Sequence, residues 1–293
     1  MRILVTGRNG QVAQSLAECA GTSHDLIFAD RPGFDLADPA SIERSVQEVR
    51  PDLVFSVAAY TAVDKAESER DVAMAVNGEG PGVLARAAYR IGAPVVHLST
   101  DYVFDGSKDG PYSEADPVAP LGVYGETKLA GERAIQASGA TYAILRTAWV
   151  YSPFGANFVK TMLRLAGDRD ELTVVEDQRG CPTSALDIAA AMLHVANMWA
   201  TDPNRGANAV YHLAGSGDTN WADFARRIMA LSAPRGGPSA SVRGIPTSAY
   251  PTPARRPANS RLDSTRFADT FGFVMPCWHD SLEPVVERLA RAA

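Results

Sequence analysis

Five short runs of aliphatic and β-branched residues recur through the first half of the chain, each followed by a stretch whose apolar positions have helical spacing. They are Arg2–Thr6, Asp25–Asp30, Asp52–Ala59, Pro94–Leu98 and Tyr142–Arg146. Apolar runs of this length read as strands buried on both faces, and strands separated by helices pair in parallel through crossovers. The pattern predicts an α/β fold built on a doubly wound, parallel, Rossmann-like sheet. Beyond Arg146 the alternation loosens. A helix is expected over residues 157–166, a strand over 172–175, and an alanine-rich helix over 186–199 that packs back on the sheet. The stretch from Gly244 to Ser260, dense in Pro, Ser and Arg, reads as irregular loop.

The first strand runs directly into Gly7-Arg8-Asn9-Gly10-Gln11-Val12-Ala13, a GxxGxxA turn that opens a helix. Gly7 permits the tight turn, Gly10 lets a pyrophosphate approach backbone N–H groups at the helix N-terminus, and the small Ala13 lets helix and strand pack closely. A glycine turn alone is a weak signal; its place between strand and helix strengthens it. Asp30 ends the second strand about 20 positions after the turn, where a ribose 2′-hydroxyl is bound in such folds. Arg31 follows and suits a 2′-phosphate, so both NADH and NADPH are expected as cofactors. Residues 1–150 are therefore expected to form the dinucleotide-binding domain. Residues 151–293 are expected to be mostly a substrate-binding lobe, with segments returning to the core.

Ser99-Thr100-Asp101 lies at the end of the fourth strand and Tyr124-Gly125-Glu126-Thr127-Lys128 follows on a helix. Tyr124 and Lys128, four positions apart, share one helix face, where an ammonium is expected to lower the pKa of a phenol. A Tyr and a Lys at this spacing usually form a plain exposed pair; the strand end before them and the glycine turn favour catalysis. The loop from Asp105 to Pro120 is expected to cover the site. A long helix is expected over 70–91, stopped by Gly92, with Asn77 as a polar residue on it. Arg255, Arg256 and Arg261 suit either a diphosphate or a solvated basic patch.

Other classes find little support. The chain has 293 residues, 46% hydrophobic, with a net charge of −6 and no dense basic run, so neither a nucleic-acid groove nor an anionic membrane is suggested. Cys19, Cys181 and Cys277 are too scattered for a disulfide framework or a zinc site, and the five histidines lack metal-ligand spacing. No apolar run is long enough to span a bilayer and no cleavable apolar segment opens the sequence, which leads to an expected cytoplasmic location.

The combination of GxxGxxA, the Ser-Thr-Asp strand end and YxxxK resembles the extended short-chain dehydrogenase/reductases. Within them, Gly10-Gln11-Val12, Ala62–Glu67, Ser99–Phe104, Val123–Glu132 and Pro246–Pro253 are similar to the dTDP-4-dehydrorhamnose reductase family, across nearly the whole chain. The resemblance implies NADH- or NADPH-dependent reduction of the 4-keto group of dTDP-4-dehydro-L-rhamnose, for surface polysaccharide synthesis. It implies that Tyr124 is the proton donor, assisted by Thr100 and Lys128. It implies a dinucleotide on Gly7, Gly10, Gln11, Val12, Asp30, Asp35, Leu36, Ala59, Tyr60, Thr61, Leu98, Tyr124 and Lys128. The dTDP-sugar is implied against Thr100, Asp101 and Trp149. Some members form a metal-bridged dimer through glutamates whose places are taken here by Ser15 and Leu186, so no metal ligand is expected, and the chain is expected to be a monomer or a metal-independent homodimer. Two other roles occur on related scaffolds: a dinucleotide-binding regulatory subunit of methionine adenosyltransferase, and a nucleotide-sugar epimerase or dehydratase.

Overall fold

The structure is a computed structural model that describes residues 1–291. Its centre is a six-stranded sheet formed by β1 (Arg2–Thr6), β2 (Asp25–Ala29), β3 (Leu53–Ser56), β4 (Val95–Thr100), β5 (Tyr142–Thr147) and a sixth strand, Ala209–His212. The spatial order is β2-β1-β3-β4-β5-sixth, and every pairing is parallel. From β1 the chain first steps outward to β2, then crosses to β3 on the other side. The switch point therefore lies between β1 and β3, and ligands of such sheets bind outside the carboxyl ends there.

Consecutive side chains of a strand point to opposite faces. Ile3, Val5, Phe55, Val96 and Leu145 pack under α1 (Gln11–Cys19) and the helix Ala185–Trp199. Leu4, Val54, Val95 and Ile144 pack under α2 (Pro39–Val49) and the helices Gly80–Arg90 and Val123–Gln136. Both faces are covered, which is why the strand sequences are continuously apolar rather than alternating. The alanine-rich helix packs back on the sheet as expected.

A second apolar cluster joins Tyr151, from the short strand Val150–Tyr151, to Val159, Phe224, Ile228, Trp278 and Leu282 from three helices, Phe158–Ala166, Trp221–Ser232 and Trp278–Arg291. A parallel ribbon of Glu171–Val175 with Ser241–Ile245 borders it. Gly244 and Ile245 thus belong to a strand, contrary to the expected loop. Arg243 and Gly244 interrupt its pattern, and its pairing partner is remote in sequence. From Pro246 to Ser260 the chain is irregular apart from a 3₁₀ turn at Thr247–Ala249. The expected helix over 70–91 is present, but its middle turn, Ala75–Glu79, is π-helical. Such widened turns are frequent at functional sites. Gly92, at φ +73°, ends it. Among the described residues no helix is long and apolar enough to cross a membrane.

Candidate active site

At the switch point Gly7 adopts φ +78°, and a Cβ there would stand 3.2 Å from that of Ala58, so glycine lets the two loops close on each other. Gly10 is the N-cap of α1; no side chain caps that helix end, and the space where a Cβ of Gly10 would point is open. The helix N-terminus is left as an anion cradle. Val12 is buried against the sheet, whereas the Gln11 side chain reaches away from the cradle. Its Oε1 accepts hydrogen bonds from Ser152 (2.8 Å) and Asn157 (3.0 Å), and its Nε2 donates to the Val150 carbonyl (3.3 Å).

Asp30 is half-buried at the end of β2 and accepts hydrogen bonds from Asn9 Nδ2 (3.2 Å) and the Arg31 N–H (2.9 Å). Arg8 lies over the Phe28 ring beside it. Asp35 accepts from the Ala37 N–H, and Leu36 is buried beneath that turn. Beyond β3, Ala59 and Tyr60 are half-buried and Thr61 is exposed. Their loop is pinned by Asn77, which accepts from the Tyr60 N–H (2.8 Å), donates to the Tyr60 carbonyl (3.0 Å) and reaches Thr127 (3.3 Å). Asn77 is fully buried on the π-turn, so it is a structural clamp that its sequence context did not reveal.

β4 delivers Leu98, Thr100 and Asp101 to the same sheet edge, and the helix Val123–Gln136 packs against it. Glu67, from the quoted Ala62–Glu67 stretch, accepts from the Val123 N–H (2.9 Å) and so caps this helix. Gly125 lies so close to the Tyr102 carbonyl that a Cβ would collide with it. The close approach sets Tyr124 within reach of the Thr100 hydroxyl. Lys128, one turn on, is buried. Its Nζ donates to the Leu98 carbonyl (2.6 Å) and lies 3.2 Å from His97 Nε2.

Burial decides the acid–base properties here. It pushes the Tyr124 phenol up to about 12, with the Asp101 charge adding to the rise and the Thr100 hydroxyl opposing it. Burial pulls Lys128 down to about 8, partly countered by the Glu132 carboxylate. The expected lowering of the phenol by Lys128 is therefore not what the structure shows. The ammonium is committed to Leu98 and His97, and desolvation dominates. Asp101 is raised to about 6 by burial, against the Thr100 and Ser260 hydroxyls. Its Oδ1 accepts from Thr100 (2.9 Å), and its buried Oδ2 has no partner among the described residues.

Trp149 follows β5 at φ +47°. Its indole stacks on Trp221 at 3.5 Å between centroids and donates to Ser260 Oγ at 3.1 Å. Trp221 in turn lines a cavity of about 380 Å³ with Phe158, Gln178, Tyr250, Arg169 and Arg256. Of Arg255, Arg256 and Arg261, Arg256 alone borders it, held by Asp64 through bonds of 3.0 and 2.8 Å. Arg255 is exposed, and Arg261 is engaged by Asn259 and the Asp109 carbonyl. The Asp105–Pro120 loop packs on the segment around Asn259–Asp263, through the Tyr112–Leu262 bridge and Asn259 bonds to the Lys108 and Gly110 carbonyls.

The profile described as the RmlD substrate binding domain matches residues 1–291. The chain belongs to this family. A dTDP-4-dehydrorhamnose reductase of Sinorhizobium fredii is 48% identical over 98% of this chain and 97% of its own. A crystal structure of a dTDP-4-dehydrorhamnose reductase from Clostridium acetobutylicum is 38% identical, with a TM-score of 0.91 and 99% of each chain covered. That of the Bacillus anthracis reductase, in complex with NADP, is 34% identical with a TM-score of 0.89, covering 97% of this chain and 98% of that one. The family's fold is the doubly wound sheet read from the sequence.

Proposed function

We propose that the chain reduces the 4-keto group of dTDP-4-dehydro-L-rhamnose to give dTDP-L-rhamnose, with NADH or NADPH as reductant. The observation that carries this reading is the meeting of Thr100, Tyr124 and Lys128 at the carboxyl edge of the sheet, between an uncapped glycine cradle and a cavity with aromatic walls. The solved relative in complex with NADP supports the cofactor, and the near-full-length similarity to the reductases supports the substrate.

The cradle fits a dinucleotide: Gly7 and Gly10 keep side chains away from the pyrophosphate, Val12 and Gln11 offer backbone N–H groups, and Asp30 suits the adenosine ribose. Asp35, Leu36, Ala59, Tyr60, Thr61 and Leu98 form the rest of the bed. When bound, the reduced nicotinamide supplies a hydride to the ketone carbon. Tyr124 is fully protonated at neutral pH, because burial holds its phenol near 12, so it can donate a proton to the developing alkoxide. Thr100, once the ketone is bound, turns the hydroxyl that it gives to Asp101 (2.9 Å) and donates it to the same oxygen. Lys128, one helical turn from Tyr124, holds the nicotinamide ribose. Asp101 is poised to receive a sugar hydroxyl on its unpartnered Oδ2, and Trp149 borders the sugar. The thymidine diphosphate belongs in the 380 Å³ cavity, with Phe158, Trp221 and Tyr250 for the base and Arg256 for the diphosphate.

On this reading residues 1–150 carry the dinucleotide and most of 151–293 the substrate, while the chain works as a monomer or metal-independent homodimer. The test is consumption of NADH or NADPH with dTDP-4-dehydrorhamnose, with UDP-4-keto sugars as control for the base. Dinucleotide binding without turnover of any 4-keto nucleotide sugar would favour the regulatory-subunit reading instead.

A further inference from the structure

His97 is wholly buried on β4, and its two ring nitrogens face two different groups. Nδ1 is 2.9 Å from Ser56 Oγ on β3; Nε2 is 3.2 Å from Lys128 Nζ. An ammonium has three N–H bonds and nothing with which to accept. Facing it, Nε2 must be the acceptor, which leaves the proton on Nδ1, donated to Ser56. A second ammonium N–H is taken by the Leu98 carbonyl at 2.6 Å. Two of the three donors are thus fixed by β4, and only the third is free for a ligand.

We infer that His97 is a positioning residue: locked by Ser56 as the Nδ1–H tautomer, it accepts a hydrogen bond from Lys128 and so aims the remaining ammonium N–H at the cofactor ribose. Only the ribose end of this statement rests on the proposed function; the tautomer and the acceptor role rest on the geometry. The buried imidazole supports it, since desolvation and the Lys128 charge hold His97 well below its ordinary pKa and keep it a neutral acceptor. The other charged or titratable groups around Lys128 are Tyr124 and Glu132 on its own helix, Arg146 on β5 across Glu132, and Asp101 beyond Thr100. The helical segments packed on the far side of that helix direct Asp64 to Arg256, Glu67 to the helix N-terminus, Arg70 to Glu126 and Glu79 to solvent.

The variants follow from the ring. Asn places its amide nitrogen where Nδ1 was and nothing where Nε2 was; Gln can set a carbonyl oxygen at the Nε2 position. In the full chain, NADH dissociation constants measured from pH 6.5 to 10 should show affinity falling as Lys128 loses its proton. His97→Asn should move that fall towards acid by about one pH unit, the size expected for one lost bond to a charged group. His97→Gln should return it most of the way. Ser56→Ala, a milder change, should move it in the same direction by less. ¹⁵N shifts of histidine-labelled wild type should put the proton on Nδ1. A proton on Nε2 would overturn the inference, as would an unmoved limb in His97→Asn and Ser56→Ala, or equal displacement in the Asn and Gln variants. If these titrations behave as stated while the wild type reduces no 4-keto sugar, the reductase reading fails and the role of His97 stands.

Discussion

Glu132 grips Arg146 across the gap between the helix Val123–Gln136 and β5, through Nε to Oε1 at 2.9 Å and Nη2 to Oε2 at 2.7 Å, with both side chains almost wholly buried. Ser99, next to Thr100, adds a 2.5 Å bond to the same carboxylate. Tyr124, Lys128 and Glu132 follow one another at four-residue intervals, so this clamp fixes the helix whose outer turns carry the proposed acid and ammonium.

Removing one partner leaves the other charge buried and unpaired. Arg146→Leu should destabilise the protein by about 3–5 kcal/mol, while replacing both members with apolar residues should recover much of the loss. Urea unfolding of the single and double variants decides it. A single variant within about 1 kcal/mol of wild type would mean that the pair is not desolvated as described.

What was legible in the sequence is what local spacing encodes. The strands, the glycine turn, Asp30 and the Tyr124–Lys128 face all lie within short stretches, and the structure sets them at one sheet edge. Glu132 was legible in principle, being one more four-residue step along that face. His97 was not, because its partner Lys128 lies 31 residues downstream and a histidine inside an apolar strand looks like ordinary core. Asn77 and Gly244 were hidden likewise: their partners, Tyr60 and the Glu171–Val175 strand, are brought to them only by the fold. The direction of the Tyr124 shift is not legible there, since spacing shows the nearby charge but not the burial that outweighs it.

Asp101 gives a pH signature. Its carboxyl is raised to about 6 in the folded chain from an ordinary value near 3.8, so the folded state favours the protonated form. That contribution is fully present below about pH 4 and is lost as pH rises through 6. Asp101→Asn abolishes this titration. Its stability relative to wild type should therefore improve between pH 4 and pH 7, by up to about 3 kcal/mol at one pKa unit per 1.36 kcal/mol. Denaturant melts at both pH values test this; a difference that does not change with pH contradicts it.

No metal effect is expected. Ser15 is fully buried in α1, its hydroxyl given to the Gln11 carbonyl at 2.9 Å, and the nearby Leu186 offers no ligand side chain. Among the described residues no group of three or more His, Cys, Asp or Glu side chains could hold a metal ion. EDTA should leave sedimentation and turnover unchanged. A dimer that dissociates with chelator and reforms with magnesium would show ligands elsewhere.

Asp30 should discriminate between the cofactors. As a carboxylate it accepts from a ribose 2′-hydroxyl and repels a 2′-phosphate, which the adjoining Arg8 and Arg31 attract. Asp30→Ala should weaken NADH about tenfold or more, the worth of a hydrogen bond to a charged group, with little loss of NADPH. Fluorescence titration with each cofactor measures the split. Equal losses, or a loss confined to NADPH, would take Asp30 out of the ribose site.

Tyr124→Phe tests the chemistry. The phenylalanine ring keeps the edge-on contact with Tyr102, whose centroid is 5.4 Å away, and leaves the glycine cradle and Lys128 untouched. Only the phenol is lost. With burial holding that phenol near 12, it is the protonated donor at neutral pH, and the more acidic Lys128 ammonium, held near 8, is committed to the Leu98 carbonyl and His97 rather than to the ketone oxygen. Thr100 is a far weaker acid, and Asp101 is largely ionised at pH 7. Turnover on the 4-keto sugar should fall at least about 10²-fold, or about 2.7 kcal/mol in the barrier, while the NADH dissociation constant moves little. Lowering the pH towards 6 should restore part of the loss only if protonated Asp101 can act in place of Tyr124, so the double variant Tyr124→Phe/Asp101→Asn should lack any such recovery. Equal turnover by Tyr124→Phe and wild type would remove Tyr124 as the acid and with it the mechanism proposed for this site.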